Sequence, residues 1–101
     1  MKIEEIKEPI EFEWDKGNSN KNWDKHSVTQ QEAEQPFFDE HKLITRDIAH
    51  SQTEQRFIML GKTKESRLLY VVYTIRKGKI RIISARDITK KKEVSFYEEA
   101  A

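Results

Sequence analysis

The rhythm of apolar and polar positions changes near residue 41, from helix-like segments to strand-like ones. Before that point, Ile10-Glu11-Phe12-Glu13-Trp14 alternates apolar and acidic residues, which predicts a short half-buried strand. Asp15 is placed to cap a helix running to about His26. Gly17, Asn18, Ser19, Asn20 and Asn22 are poor helix formers, so that helix must be held by tertiary packing. Trp23 is the large apolar residue available for it. Thr29-Gln30-Gln31-Glu32 fits a capping box, with Thr29 as N-cap and Glu32 at N3, and starts a second helix. Pro36 lies too deep for a first-turn proline and should kink or end it, after which Phe37 and Phe38 dock on the core.

From His41 the pattern is β. His41–Ile48 and Arg56–Thr63 read as strands, the latter with Gly61 near its end. Arg67–Arg76 is apolar on both faces, as a central strand is. Lys77-Gly78 makes a tight hairpin turn, and Lys79–Arg86 returns antiparallel. A last helix, capped by Asp87 or Thr89, runs to about Glu99 with Val94, Tyr97 and Ala101 on one side. The order β-α-α-β-β-β-β-α predicts an α+β fold: a single antiparallel sheet packed with about three helices. Residues 1–9 are expected to form a flexible N-terminal segment, and 10–101 one domain.

Composition narrows the function. No cysteine is present, which removes disulfides and Cys-based zinc sites, and three histidines without tight spacing do not suggest a metal centre. Neither a metal nor a cofactor is expected. The longest apolar run, residues 68–73, is too short to span a bilayer, and no signal peptide is visible, so a cytoplasmic protein is expected. The net charge of +1 conceals an asymmetry. Residues 1–40 carry 5 Lys and 11 Asp/Glu, a balance of −6; residues 41–101 carry 14 Lys/Arg and 7 Asp/Glu, a balance of +7. Anionic ligands should therefore approach the second half.

Gly-rich phosphate loops, HExxH and GxSxG are absent. What remains is a cationic set around the predicted sheet: His50, Arg56, Arg81, Ser84, Arg86 and Lys90, Lys91 and Lys92. RNA carries its own nucleophile, the 2′-hydroxyl. A metal-free ribonuclease needs a base, cations for the phosphorane-like transition state, and an acid for the leaving oxygen. The same arginines could bind nucleic-acid phosphates without chemistry. Arg56 and Arg81 also suit strand-surface ion pairs, and His26 suits the carbonyls at the end of its helix. Positions 81 and 86 differ by five, so they face opposite sides unless the strand bends near Ala85.

The ordered set Phe12-Glu13-Trp14-Asp15, Asn22, Lys25-His26, Val28, Glu32-Ala33, His50-Ser51, Glu54-x-Arg56-Phe57, Leu60-Gly61, Arg67-Leu68-Leu69, Arg81-Ile82-Ile83-Ser84-Ala85-Arg86, Thr89, Glu93 and Tyr97 resembles the BrnT family of ribonuclease toxins of type II toxin–antitoxin systems. It covers about 85 of the 101 residues. The resemblance implies a RelE-like fold, RNA cleavage that halts growth, and neutralisation by a BrnA-like antitoxin. That antitoxin carries a ribbon-helix-helix-type domain, so DNA is reached through it and the complex represses its own promoter. Toxin dimers within the complex are also implied. By position, Arg56, Arg81 and Arg86 match the family's arginines, and His26 and His50 its histidines. The expected catalytic set is Arg56, Arg81, Arg86 and His50; the expected RNA-binding set is Lys90, Lys91, Lys92, Ser84 and His26. Ser27 replaces a usual glycine, Asn18 stands where a lysine is common, and Pro36 interrupts the second helix. The competing reading is an inactive, toxin-like binding module.

Overall fold

A computed structural model describes residues 10–50 and 54–100, apart from the side chains of His50 and Ala100. The segment 1–9, expected to be flexible, lies outside the described residues. Four strands, β1 (Leu43–Arg46), β2 (Arg56–Lys62), β3 (Leu68–Arg76) and β4 (Lys79–Asp87), form one antiparallel sheet in sequence order. The helices are α1 (Lys21–His26), α2 (Gln30–Glu34) and α3 (Lys91–Ala100), with 3-10 turns at Gln35–Phe38 and Ile48–His50. This is the expected α+β architecture.

Register follows from hydrophobic alternation and turn chemistry. Between β3 and β4, Lys77 (φ 51°) and Gly78 (φ 77°) both take positive φ, the conformation whose twist matches a two-residue hairpin. Leu69, Val71 and Tyr73 point to one face, where Ile44, Met59, Ile80, Ile82 and Ala85 join them. Val28, Ala33 and Phe37 cover that face from α2 and its flanks, with Phe12 edge-on to Phe37 at 5.2 Å. Gly61 is required here: a Cβ would lie 2.8 Å from Pro36 Cβ and 3.1 Å from its carbonyl oxygen. The opposite face carries a smaller cluster, Leu43, Leu60 and Tyr97, with Leu68, Tyr70, Ile88 and Phe96 packed on it. Asp39 anchors α3 there, accepting from the Tyr97 hydroxyl at 2.6 Å and the Lys62 N–H at 2.9 Å. Burial and the Asp39 carboxylate raise the Tyr97 pKa; Asp39, although burial works against it, is held below its usual range by these bonds.

Several expectations about the first forty residues are corrected. The segment around Phe12 makes a single parallel bridge to Ile80 rather than a strand. Asp15 does not cap a helix: it accepts from the Gly17 N–H in a local turn, and α1 starts only at Lys21. Trp23 is 57% exposed and is not the anchor of α1. The buried residue is Asn22, whose Oδ1 accepts the Ala85 N–H at 2.9 Å. Asn18, also buried, donates to the carbonyls of Glu13 and Ile82. The bridge at Ile80 pairs one stretch of the edge of β4, and the two asparagines satisfy backbone groups further along it, at Ile82 and Ala85. The Asn22 Nδ2 has no hydrogen-bond partner. Turning the amide over would aim a donor at the Ala85 N–H.

Ser27 ends α1 in the left-handed region (φ 54°, ψ 39°), doing without the glycine this geometry favours. The capping box at Thr29 is present, and Pro36 turns α2 into a 3-10 segment. Phe37 is buried as expected, whereas Phe38 is 63% exposed. At the other end, Asp87 is committed to Arg67 rather than to capping α3, and Phe96 joins Tyr97 in the packing. Ala101 lies outside the described residues. No described helix is long and apolar enough to cross a membrane.

Candidate active site

The face of the sheet beneath α3 collects most of the predicted cationic residues. β4 carries an extra residue between Ile82 and Ser84, where the register with β3 shifts at Val72/Tyr73. A bulge of this kind reverses the side-chain phase beyond it. Thr74 is opposite Arg81, Val72 opposite Ser84, and Tyr70 opposite Arg86. Arg81, Ser84 and Arg86 therefore share one face. Arg56, paired with Thr74 across the next ladder, is on that face too. Asn18 and Asn22 hold the backbone on either side of the bulge, at the Ile82 carbonyl and the Ala85 N–H.

Arg86 occupies the centre of the local chemistry. Its guanidinium carbon lies 4.0 Å from the centroid of the Tyr70 ring. Its Nη2 donates to Glu93 Oε2 at 2.9 Å and its Nη1 to the Asp87 carbonyl at 3.1 Å. The stack and the carboxylate fix a planar, permanently charged group in one orientation. Burial raises the Tyr70 pKa, with the Arg86 charge acting in the opposite direction. On one side of Arg86 a shallow groove is lined by His26, Asp87, Thr89 and Lys90. On the other, between α3 and the sheet, a cleft of about 250 Å³ is lined by Thr45, Ile58, Tyr70, Lys92, Glu93 and Phe96 among others. Lys90 borders both.

The remaining predicted residues are distributed around this centre. Arg81 is pinned at the sheet margin by Glu13 (2.9 Å) and Asp15 (2.8 Å), and its side chain is only 13% exposed. The Arg81 hydrogen bond is the main cause of the lowered Asp15 pKa. Arg56 and Ser84 are half-buried. Glu54 engages Arg76 through two bonds, at 3.0 and 2.9 Å. Lys91 is exposed at the start of α3, away from both depressions. His50 ends a 3-10 turn; its side chain lies outside the described residues. Among the described residues, no group of three or more His, Asp or Glu could hold a metal ion.

Two groups were not singled out from sequence as site residues. Glu93 matched the family pattern, yet nothing in the linear pattern brings it to Arg86; the turn between β4 and α3 does that. Arg67 is structural. Its Nε and Nη2 grip Asp87 at 2.7 and 2.9 Å, Nη1 donates to Glu32 and the Ser27 carbonyl, and Nη2 also donates to the His26 carbonyl. Arg67, rather than His26, satisfies the carbonyls at the end of α1. These partners raise the Arg67 pKa, the Asp87 bond foremost.

No curated protein gives a significant match to the chain. Residues 14–92 match the family model described as the ribonuclease toxin, BrnT, of type II toxin–antitoxin systems. That interval takes in the bulged strand, its asparagine clamp and Arg86, and on this match the chain belongs to the BrnT family.

Proposed function

We propose that this chain is a metal-independent endoribonuclease whose site is the sheet face beneath α3. The carrying observation is that the β4 bulge gives Arg81, Ser84 and Arg86 the same face as Arg56, with Arg86 fixed between Tyr70 and Glu93. In the reaction a base takes the proton of a ribose 2′-hydroxyl, O2′ attacks the adjacent phosphorus, and the P–O5′ bond breaks. The leaving O5′ takes a proton from an acid, so the products are a 2′,3′-cyclic phosphate and a 5′-hydroxyl. Arg86 stabilises the charge on the non-bridging oxygens, the role in which fixed donors contribute most. Arg56 and Arg81 contact flanking phosphates; Arg81 does so by exchanging one of its two carboxylate partners for the backbone. His26, Lys90, Lys91, Lys92 and Ser84 bind RNA. Glu93 joins His50 as a candidate base, because its carboxylate both receives Arg86 and borders the cleft.

A toxin of a type II system is held by a protein antitoxin. In this reading that partner is BrnA-like, covers the Arg86 face, brings the DNA-binding activity that represses the promoter, and joins toxin dimers in the complex. Residues 10–101 act as one toxin domain in the cytoplasm. Purified toxin should cleave RNA in excess EDTA and leave cyclic-phosphate ends. Cleavage that requires Mg²⁺ or Mn²⁺, or that leaves 3′-hydroxyl ends, would overturn the mechanism.

A further inference from the structure

We infer that the cleft between α3 and the sheet is a nucleobase subsite, taking the base of one nucleotide that flanks the scissile phosphate. The inference rests on the ribonuclease reading for the identity of its ligand, and on the cleft itself for its shape. The volume, about 250 Å³, is below the roughly 300–1,000 Å³ of pockets that enclose drug-sized ligands, so it suits one planar ring rather than a whole nucleotide. Its walls are apolar and aromatic: Leu43, Ile58 and Leu60 from the sheet, Tyr70 and Phe96 at the sides. Aromatic and aliphatic walls accept the face of a base.

The rim has the opposite character. Lys90 and Lys92 line the cleft with Glu93, whose carboxylate is paired with Arg86, and the Arg86 guanidinium lies 4.0 Å from the Tyr70 ring centroid. An apolar slot with cations along one lip matches a nucleotide, whose base is flat and whose phosphate is anionic. The groove of His26, Thr89 and Lys90 on the far side of Arg86 continues that cationic lip and gives the next phosphate a place to lie. Selectivity would come from hydroxyls. Thr45 and Tyr70, each with a hydroxyl, both line the cleft. A site that pairs a base edge discriminates strongly against a base that leaves its polar groups unpaired. The cleft thereby makes cleavage dependent on base identity at one position next to the phosphate held by Arg86.

The test reads the cleft directly in the full chain. A short single-stranded RNA with 2′-O-methyl riboses cannot be cleaved by 2′-hydroxyl attack, and an abasic oligomer of equal length supplies the same charge. Methyl resonances of Leu43, Thr45, Ile58 and Leu60 should shift with the first and not with the second. In cleavage of RNAs varied at single positions, an abasic site at one flanking position should lower kcat/KM on the order of ten-fold or more. Thr45→Val should reduce the preference among the four bases at that same position. Equal methyl shifts from both oligomers, or indifference to abasic sites, would remove the subsite while leaving the ribonuclease reading intact. Base-dependent shifts without any cleavage would remove that reading and keep the subsite. Shifts caused by the antitoxin but not by RNA would assign the cleft to protein contact and overturn the inference.

Discussion

Replacing Arg67 by methionine removes a guanidinium but keeps an apolar stem of similar length, so the loss isolates the polar contacts. All five N–H donors of Arg67 are engaged: two bonds to Asp87, one to Glu32, and one each to the His26 and Ser27 carbonyls. A hydrogen bond to a charged group contributes about 1.5–3 kcal/mol when shielded, and exposed ion pairs only about 0–1 kcal/mol. The Arg67 side chain is 26% exposed and Asp87 is 51% exposed, so the Asp87 pair belongs near the lower figure. The carbonyls weigh more: the backbone cap bonds at this end of α1 reach Asn22 and Trp23, Arg67 takes the His26 and Ser27 carbonyls, and a six-residue helix is too short to persist alone. The expected loss is about 2–4 kcal/mol. For a domain of this size that corresponds to roughly 10–25 °C in Tm. Urea unfolding followed by the fluorescence of Trp14 and Trp23 measures it. Arg67→Lys, with a point charge in place of the fork, should recover less than half. A loss for Arg67→Met below about 1 kcal/mol, with an unchanged m-value, would refute the assignment of Arg67 as the clasp joining α1, α2 and β4.

Arg86→Ala should lower cleavage on the order of 10²–10³-fold while the melting temperature moves little, and a loss explained by unfolding would make Arg86 structural instead. Ser27→Gly should stabilise the fold by about 0.5–1.5 kcal/mol, because glycine accepts the left-handed geometry that serine holds at a cost, and calorimetry would detect the gain. Asn22→Ala should cost about 1–3 kcal/mol by stranding the Ala85 N–H, and should also weaken cleavage if the bulge loosens; hydrogen exchange at Ala85 reads the first effect directly. Stability should fall on both sides of neutrality. Asp15, Glu32, Asp39, Glu54 and Asp87 all have lowered folded pKa values, so their contribution is complete above the unfolded values of 3.8 or 4.5 and is lost as pH drops through the folded ones. Tyr70 and Tyr97 have raised values, so theirs is complete below 10.0 and is lost as pH climbs beyond it. Melting at pH 3, 7 and 11 checks both limbs.

The sheet was legible in the sequence because its signals are local. Strand alternation, the Lys77-Gly78 turn and the Thr29–Glu32 capping box each depend on residues within a few positions of one another, and each is present. The first forty residues were harder for a physical reason. Their structure is imposed by the edge of β4, more than sixty residues away, through Asn18 and Asn22. Asparagine reads as a helix breaker in isolation, yet here the amide replaces a missing neighbouring strand. Trp23 suggested an apolar anchor, but a short helix tied by side-chain amides and a capping arginine does not need to bury it.

The candidate site divides along the same line. Arginines at a strand end were visible in the sequence, and so was the parity conflict between positions 81 and 86. Resolving that conflict required the register with β3, because an extra residue in β4 has no sequence signature here beyond the run Ile82-Ile83-Ser84. Once the phase is known, sharing a face does not make the arginines equivalent. At about 3.3 Å per residue, Arg81 and Arg86 are roughly 13–16 Å apart along the strand. Each is also held by its own carboxylates, Glu13 and Asp15 for one and Glu93 for the other. One scissile phosphate can be held closely by only one of them. Arg86 adjoins a cleft, a cationic groove and an aromatic support, whereas Arg81 faces two acids at the margin. In the proposed mechanism this places Arg86 at the reacting phosphate and Arg81 at a neighbouring backbone contact, so the two alanine variants should differ in rate rather than share one phenotype.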